Sequence, residues 1–169
     1  MADWIRYEKA VPVRDVARLL PLRPGKYVFF VDSLDRLPES FRKDAETRPV
    51  PHLMYLGKAD ICLATRVWEQ ECQHLRPGTL FRSVGAMLGF RSPKGGRNYE
   101  FAAGDKQYVV DWIAAHFSVG WCDDAIAGSH AEGEKALLRQ FMPLLNILNN
   151  PRKCRELERL RKICRAASP

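Results

Sequence analysis

The sequence predicts a mixed α/β (α+β) domain, with a small antiparallel sheet of three strands flanked by helices. Three runs predict it. Residues 26–32 (Lys-Tyr-Val-Phe-Phe-Val-Asp) are aromatic and β-branched and are released by Gly25. Residues 52–57 are apolar around Leu53, Met54 and Leu56, and end on Gly57. Residues 117–122 alternate in a way that fits an antiparallel neighbour of the other two. Between them the apolar residues recur at helical spacing.

The elements follow in order. Residues 12–20 place Val13, Val16, Ala17 and Leu20 at helical spacing behind Pro12, and Pro21 and Pro24 end the run. After the first strand, the polar and Pro-rich residues 33–51 form an excursion with a helical turn around 39–45. The second strand leads to a helix over 61–75, with Leu63, Val67, Glu71 and His74 along one flank and Arg66 and Gln70 beside it. Pro77 and Gly78 break it. Residues 79–90 resume with Leu80, Val84, Met87 and Leu88 inward and Arg82 outward, and 91–98 form a cationic Gly-containing loop. Asp105 caps a helix through Phe117 with Tyr108, Val109, Trp112 and Ile113 inward. The third strand precedes a helix over 131–142, stopped by Pro143, and an apolar segment punctuated by Asn. A charged helix from Arg152 to about Arg165 closes the chain on a stripe of Leu157, Leu160 and Cys164.

The 169 residues make one domain, with a core over about 25–150 and a C-terminal helix over 151–166. Hydrophobic residues are 46% and charged residues 28%, an ordinary globular composition. The 27 Lys+Arg against 20 Asp+Glu give +7, which favours a polyanionic partner. The five cysteines, with no Cys-x-x-Cys pair, read as free thiols in a reducing compartment rather than disulfides or a zinc site. Met1-Ala2-Asp3-Trp4 carries no apolar leader and no later run spans a membrane, so the expectation is a soluble, cytoplasmic protein.

The chemistry gathers near the end of the second strand. Tyr55, Lys58 and Arg66 bring a phenol, an ammonium and a guanidinium to one strand terminus, a set that suits a phosphate. Tyr27, from its own stretch, reads as a core tyrosine. Arg91, Lys94 and Arg97 beside glycines, with Arg82, form a basic surface that can track phosphates, although such a loop is also found simply solvated. Glu132 and Glu134 open the 131–142 helix, where the macrodipole alone accounts for one of them. Two residues apart on an α-helix, they point about 200° from each other. A hard divalent cation takes one or two protein carboxylates when a substrate phosphate supplies the rest. One Glu, one Arg, two Tyr and a basic surface are the parts of metal-assisted phosphodiester hydrolysis.

These elements, in this order, resemble the GIY-YIG nuclease family. Gly25-Lys26-Tyr27 is similar to its first motif and Tyr55-Leu56-Gly57 to its second. Lys58, Ala59 and Arg66-Val67 resemble the repair-nuclease branch, and Glu134, Pro143 and Asn146 the closing Glu…Pro-x-x-Asn. The likeness runs from Gly25 to about Asn146. Lys26 replaces an aliphatic residue, residues 33–51 lengthen the link between the motifs, and 77–116 read as inserted helices. Gln70 stands where many members have a Tyr or His, which leaves the general base open among Tyr27, Tyr55 and His74.

The resemblance implies a compact α/β domain and a single-metal DNA endonuclease. Glu134 would bind Mg²⁺ or Mn²⁺, Arg66 would stabilise the pentavalent phosphate, and Tyr27 and Tyr55 would line the site. Metal, Lys58 or Arg66 would lower a tyrosine pKa, and Asn146 would orient the Glu or close the pocket. One site in a monomer or weak dimer cuts one strand at a time. Two other readings stand beside it: a silent nucleic-acid-binding module of the same fold, and a protein-interaction domain working through its charged C-terminal helix.

Overall fold

The computed structural model describes residues 3–123 and 130–166, with the side chains of 3 and 130–132 outside that description. The sheet has four antiparallel strands rather than three: β1 (Val11–Pro12), β2 (Gly25–Val31), β3 (Leu53–Ala59) and β4 (Phe117–Asp123), in the order β1-β4-β2-β3. The extra strand is a two-residue edge that pairs Val11 with Val119 and Pro12 with Ser118. Pro12 was expected to open a helix over 12–20. Helix α1 is only Val13–Val16, because the residues before it are drawn into the sheet.

The strands divide the core in two. Tyr27, Phe29 and Val31 of β2 point to one face, and Val28 and Phe30 to the other. In β3 the register slips between Phe29 and Phe30, so Phe29 pairs with Tyr55, Phe30 with Leu53, and Met54 is the extra residue. Met54 and Tyr55 therefore both join the larger core, while Leu53 and Leu56 join the smaller. Helix α5 (His130–Phe141) covers the smaller core through Leu138 and Phe141, with Ile5 from a short N-terminal turn. The other helices gather on the opposite face. They are α1, α2 (Glu39–Glu46), a π-helix (Ala64–Cys72), α3 (Thr79–Met87), α4 (Ala103–His116) and α6 (Arg155–Arg165).

The 77–116 stretch, read as inserted, lies within the main core rather than beside it. Every residue of α3 from Leu80 to Met87 is buried, and a Cβ at Gly85 would overlap the Phe101 ring. Arg82, expected outward, is among them; its Nε donates to Gly78 O at 3.1 Å, and Nη1 to Arg97 O at 3.1 Å and Asn98 Oδ1 at 3.0 Å. Asp105 sits in the first turn of α4 but does not cap it, since Ala102 holds the N-cap position. Tyr108, expected inward, lies exposed against Phe90, whereas Val109, Trp112 and Ile113 are buried as expected.

The helix expected over 61–75 is shorter and π-wound. It ends with His74 in the left-handed region at φ 50, and Leu75 N returns to Glu69 O at 2.7 Å. Beyond Pro143 the chain lies along the outer edge of β3, with Leu144 N donating to Leu53 O and Leu145 N to Met54 O. All five cysteines are free, as expected. Among the described residues no helix is long and apolar enough to cross a membrane.

Candidate active site

The site begins at the β2–β3 pairing, where Tyr27 lies opposite Gly57. A Cβ at Gly57 would run into the Tyr27 hydroxyl and ring, so the glycine makes room for the phenol. Tyr27 is fully buried and its hydroxyl is clamped from the π-helix. It donates to Glu71 Oε1 at 3.0 Å and accepts from Arg66 Nε at 3.1 Å. Arg66 Nη2 closes the ring on Glu71 Oε1 at 3.1 Å, and Leu80 N donates to Glu71 Oε2 at 2.8 Å. The remaining arm, Nη1, donates to Gln70 Oε1 at 2.7 Å.

Glu71 is the residue the sequence did not single out. On an α-helix, residues five apart diverge by about 140°. A π-helix bonds i to i+5 and returns them to one side, which puts Arg66 and Glu71 in contact. An acid alone among apolar neighbours on a helix flank was the available signal. Burial raises the Glu71 carboxyl above the usual carboxylate range, while Arg66, the Leu80 amide and Tyr27 pull it back. Burial works against the charge of Arg66, but Tyr27, Glu71 and Tyr55 around it outweigh that and hold it protonated.

Tyr55 stacks beside Tyr27, with ring centroids 6.3 Å apart, and its hydroxyl meets Thr79. Both phenols are pushed above their ordinary value, first by burial and then by Glu71; Arg66 only partly offsets this. The expected lowering of a tyrosine by Lys58 or Arg66 is thus outweighed by desolvation.

A cleft of about 540 Å³ opens beside this core, lined by Tyr55, Lys58, Arg66, Gln70 and Glu134 among others. Four of the predicted site residues therefore meet, brought from β3, the π-helix and α5. Glu134 reaches the cleft from the N-terminal part of α5; burial raises its carboxyl, Lys58 and Arg66 counter that, and Asp60 adds to it. Lys58 Nζ donates to Asp60 Oδ1 at 2.8 Å. Tyr27 stands behind the cleft, outside its lining.

Asn146 does not orient Glu134. Its Oδ1 accepts from Leu56 N and its Nδ2 donates to Leu56 O, both at 2.9 Å, so the amide pairs with the edge of β3 next to Tyr55. Nor does His74 reach the cleft. It is 2% exposed, stacks on Phe81 at 4.2 Å, and accepts from Gly78 N; burial, Lys106 and Arg82 push it down to about 4. Glu132 has its side chain outside the described residues.

A second cleft of about 650 Å³ shares Tyr55 and Glu134 with the first and runs on past Asn146 to α6. Of the predicted basic surface, Arg82 and Arg97 line it. Arg91 and Lys94 do not; Arg91 turns back to Gly89 O and Phe90 O, and Lys94 borders a separate hollow.

Among the described residues no three His, Cys, Asp or Glu side chains cluster as a closed metal cage. Glu134 still fits a divalent cation of the open kind. It is a desolvated carboxyl at the junction of two clefts, and a bound cation would supply the charge that burial withholds.

No curated protein and no solved structure gives a significant match to the chain. The family model described as the GIY-YIG catalytic domain matches residues 25–163, from the glycine that opens β2 into the last turns of α6. By that match the chain belongs to the GIY-YIG catalytic-domain family, a family of nucleases.

Proposed function

We propose that the chain is a divalent-metal-dependent endonuclease that hydrolyses DNA phosphodiester bonds in the first cleft. The observation that carries this is the meeting of Tyr55, Lys58, Arg66 and Glu134, from separate parts of the chain, around one cavity. Arg66 enters it already oriented by Tyr27, Glu71 and Gln70, so its positive charge is in place where a pentavalent phosphate develops charge. Lys58 adds a second cation at the same wall. Tyr55 remains a neutral phenol near pH 7 and holds the attacking water through its hydroxyl rather than as a phenolate. Glu134 would hold Mg²⁺ or Mn²⁺, which when bound supplies Lewis-acid stabilisation of the phosphate and a more acidic water. Gln70 has no titratable proton, so it serves Arg66 as an acceptor and not as a base.

One cleft serves one strand, and a monomer therefore nicks. The test is incubation with supercoiled plasmid and Mg²⁺ or Mn²⁺, with and without chelator. Metal-dependent nicking that disappears in Glu134→Gln is the expected result. Plasmid binding without any nicking by the native chain would replace this reading with a silent binding module.

A further inference from the structure

Helix α6 buries Leu157, Leu160 and Cys164, and with them Arg161. Arg161 Nη1 reaches Ser83 Oγ of α3 at 3.2 Å, and its Nε is buried without a hydrogen-bond partner. This brings α6 against α3 at the second cleft. The cleft collects Arg82, Arg97, Lys153, Arg161, Lys162 and Arg165, opposed only by Glu134 at one end and Glu158. Glu158 is tied to Lys153 at 3.0 Å. Lys162, one turn further along α6, also faces Glu158, and among the described residues no carboxylate forms a salt bridge with Arg97 or Arg165. The crowding is felt at Arg82, whose guanidinium is pushed down by burial and Arg161 and, more weakly, by Arg165, with Tyr99 and Glu71 offsetting part of it. A fold that gathers six cations around two carboxylates leaves positive charge for a polyanion.

We propose that this second cleft binds the sugar–phosphate backbone of the DNA flanking the bond to be cut, with α6 as one wall. The inference rests on the nuclease reading of the first cleft, because Tyr55 and Glu134 belong to both and a strand leaving one must enter the other. The lining suits a backbone better than a lone anion. Asn98 and Asn149 offer exposed amides beside the cations, and Leu148, 79% exposed, gives an apolar surface for sugar or base.

The test measures binding of a short fluorescent DNA duplex to the full chain in chelator, over a series of salt concentrations. Lys162→Gln/Arg165→Gln changes two exposed side chains of α6. It should weaken binding and reduce the slope of log K against log salt by about 2, near 0.9 per phosphate contact. Arg91→Gln/Lys94→Gln removes the same charge outside the cleft and should leave the slope as in the native chain. Equal losses in the two variants, or none in the first, overturn the assignment. Plasmid nicking in Mg²⁺ separates the two claims. Native protein that binds through Lys162 and Arg165 but never nicks keeps the groove and defeats the nuclease reading. Native protein that nicks, with the α6 variant binding and nicking normally, defeats the groove alone.

Discussion

Replacing Glu71 by Gln keeps the shape of the side chain and removes one of its two acceptor oxygens. Three donors converge on those oxygens: the Tyr27 hydroxyl at 3.0 Å, Arg66 Nη2 at 3.1 Å and Leu80 N at 2.8 Å. An amide can serve either Leu80 or the Tyr27–Arg66 side, and its NH₂ must then face donors on the other. One unsatisfied buried contact of this kind costs about 1–3 kcal/mol. For a chain of this size that lowers Tm by roughly 3–10 °C. The larger effect falls on the rate, because Arg66 loses the partner that fixes its angle into the cleft. Misplacement of a transition-state cation predicts roughly a 10²-fold loss of plasmid nicking. Arg66→Ala and the double variant complete the cycle. Since Glu71 acts through Arg66, adding Glu71→Gln to Arg66→Ala should cost little further rate. A Glu71→Gln protein that nicks at the native rate, or losses that multiply in the double variant, would refute this role.

Glu134→Gln should abolish metal-dependent nicking and yet stabilise the fold as pH rises. The folded carboxyl sits above its free value of 4.5, so the native protein carries a penalty that is absent below that pH and complete above the folded value. Thermal melts of both proteins from about pH 4 to about pH 8 test it, and a Gln variant less stable than the native chain at the upper end contradicts it. His74 behaves oppositely: its folded value is depressed from 6.5 to about 4, so its contribution is intact above 6.5 and is lost as pH falls through that window. The loss should reach about 2–3 kcal/mol, seen as a steeper acid decline than in His74→Asn, which tolerates the left-handed backbone. Parallel declines would sink it. Gly57→Ala should cost about 1–3 kcal/mol in denaturant unfolding, because its Cβ enters the space of the Tyr27 hydroxyl; Tyr27→Phe in the same chain should recover part of that.

Much of this was legible in the sequence, for reasons that vary by residue. Strands β2, β3 and β4 declared themselves because buried strands concentrate aromatic and β-branched residues between glycines, as in 25–31. Glu134, Arg66, Tyr55 and Lys58 could be singled out because their order along the chain is itself a pattern. What escaped depends on winding and on tertiary partners. Strand β1 is too short to carry any alternation. The Arg66–Glu71 contact exists only in a π-helix, and helical spacing counted at 3.6 residues per turn separates the pair. Arg82 looked like a surface cation because nothing local announces the carbonyls of Gly78 and Arg97 that receive it. The helix α6 could be read only as a charged helix on an apolar stripe, because the wall opposite its cations comes from residues far away in sequence.

The amide of Asn146 also bears on solubility. Strand β3 stands at the rim of the sheet, and 53–56 (Leu-Met-Tyr-Leu) is an uncharged, β-prone stretch. A bare rim of that composition is a template on which a second chain can add a strand. Leu144, Leu145 and the Asn146 side chain occupy its donors and acceptors from Leu53 to Leu56, so the protein completes its own sheet with a segment that is not a strand. Asn146→Ala withdraws both side-chain bonds at Leu56 while leaving the Pro143 turn in place. Its expected phenotype is concentration-dependent self-association, visible as light scattering and thioflavin binding on mild warming, at temperatures where the native chain stays dispersed.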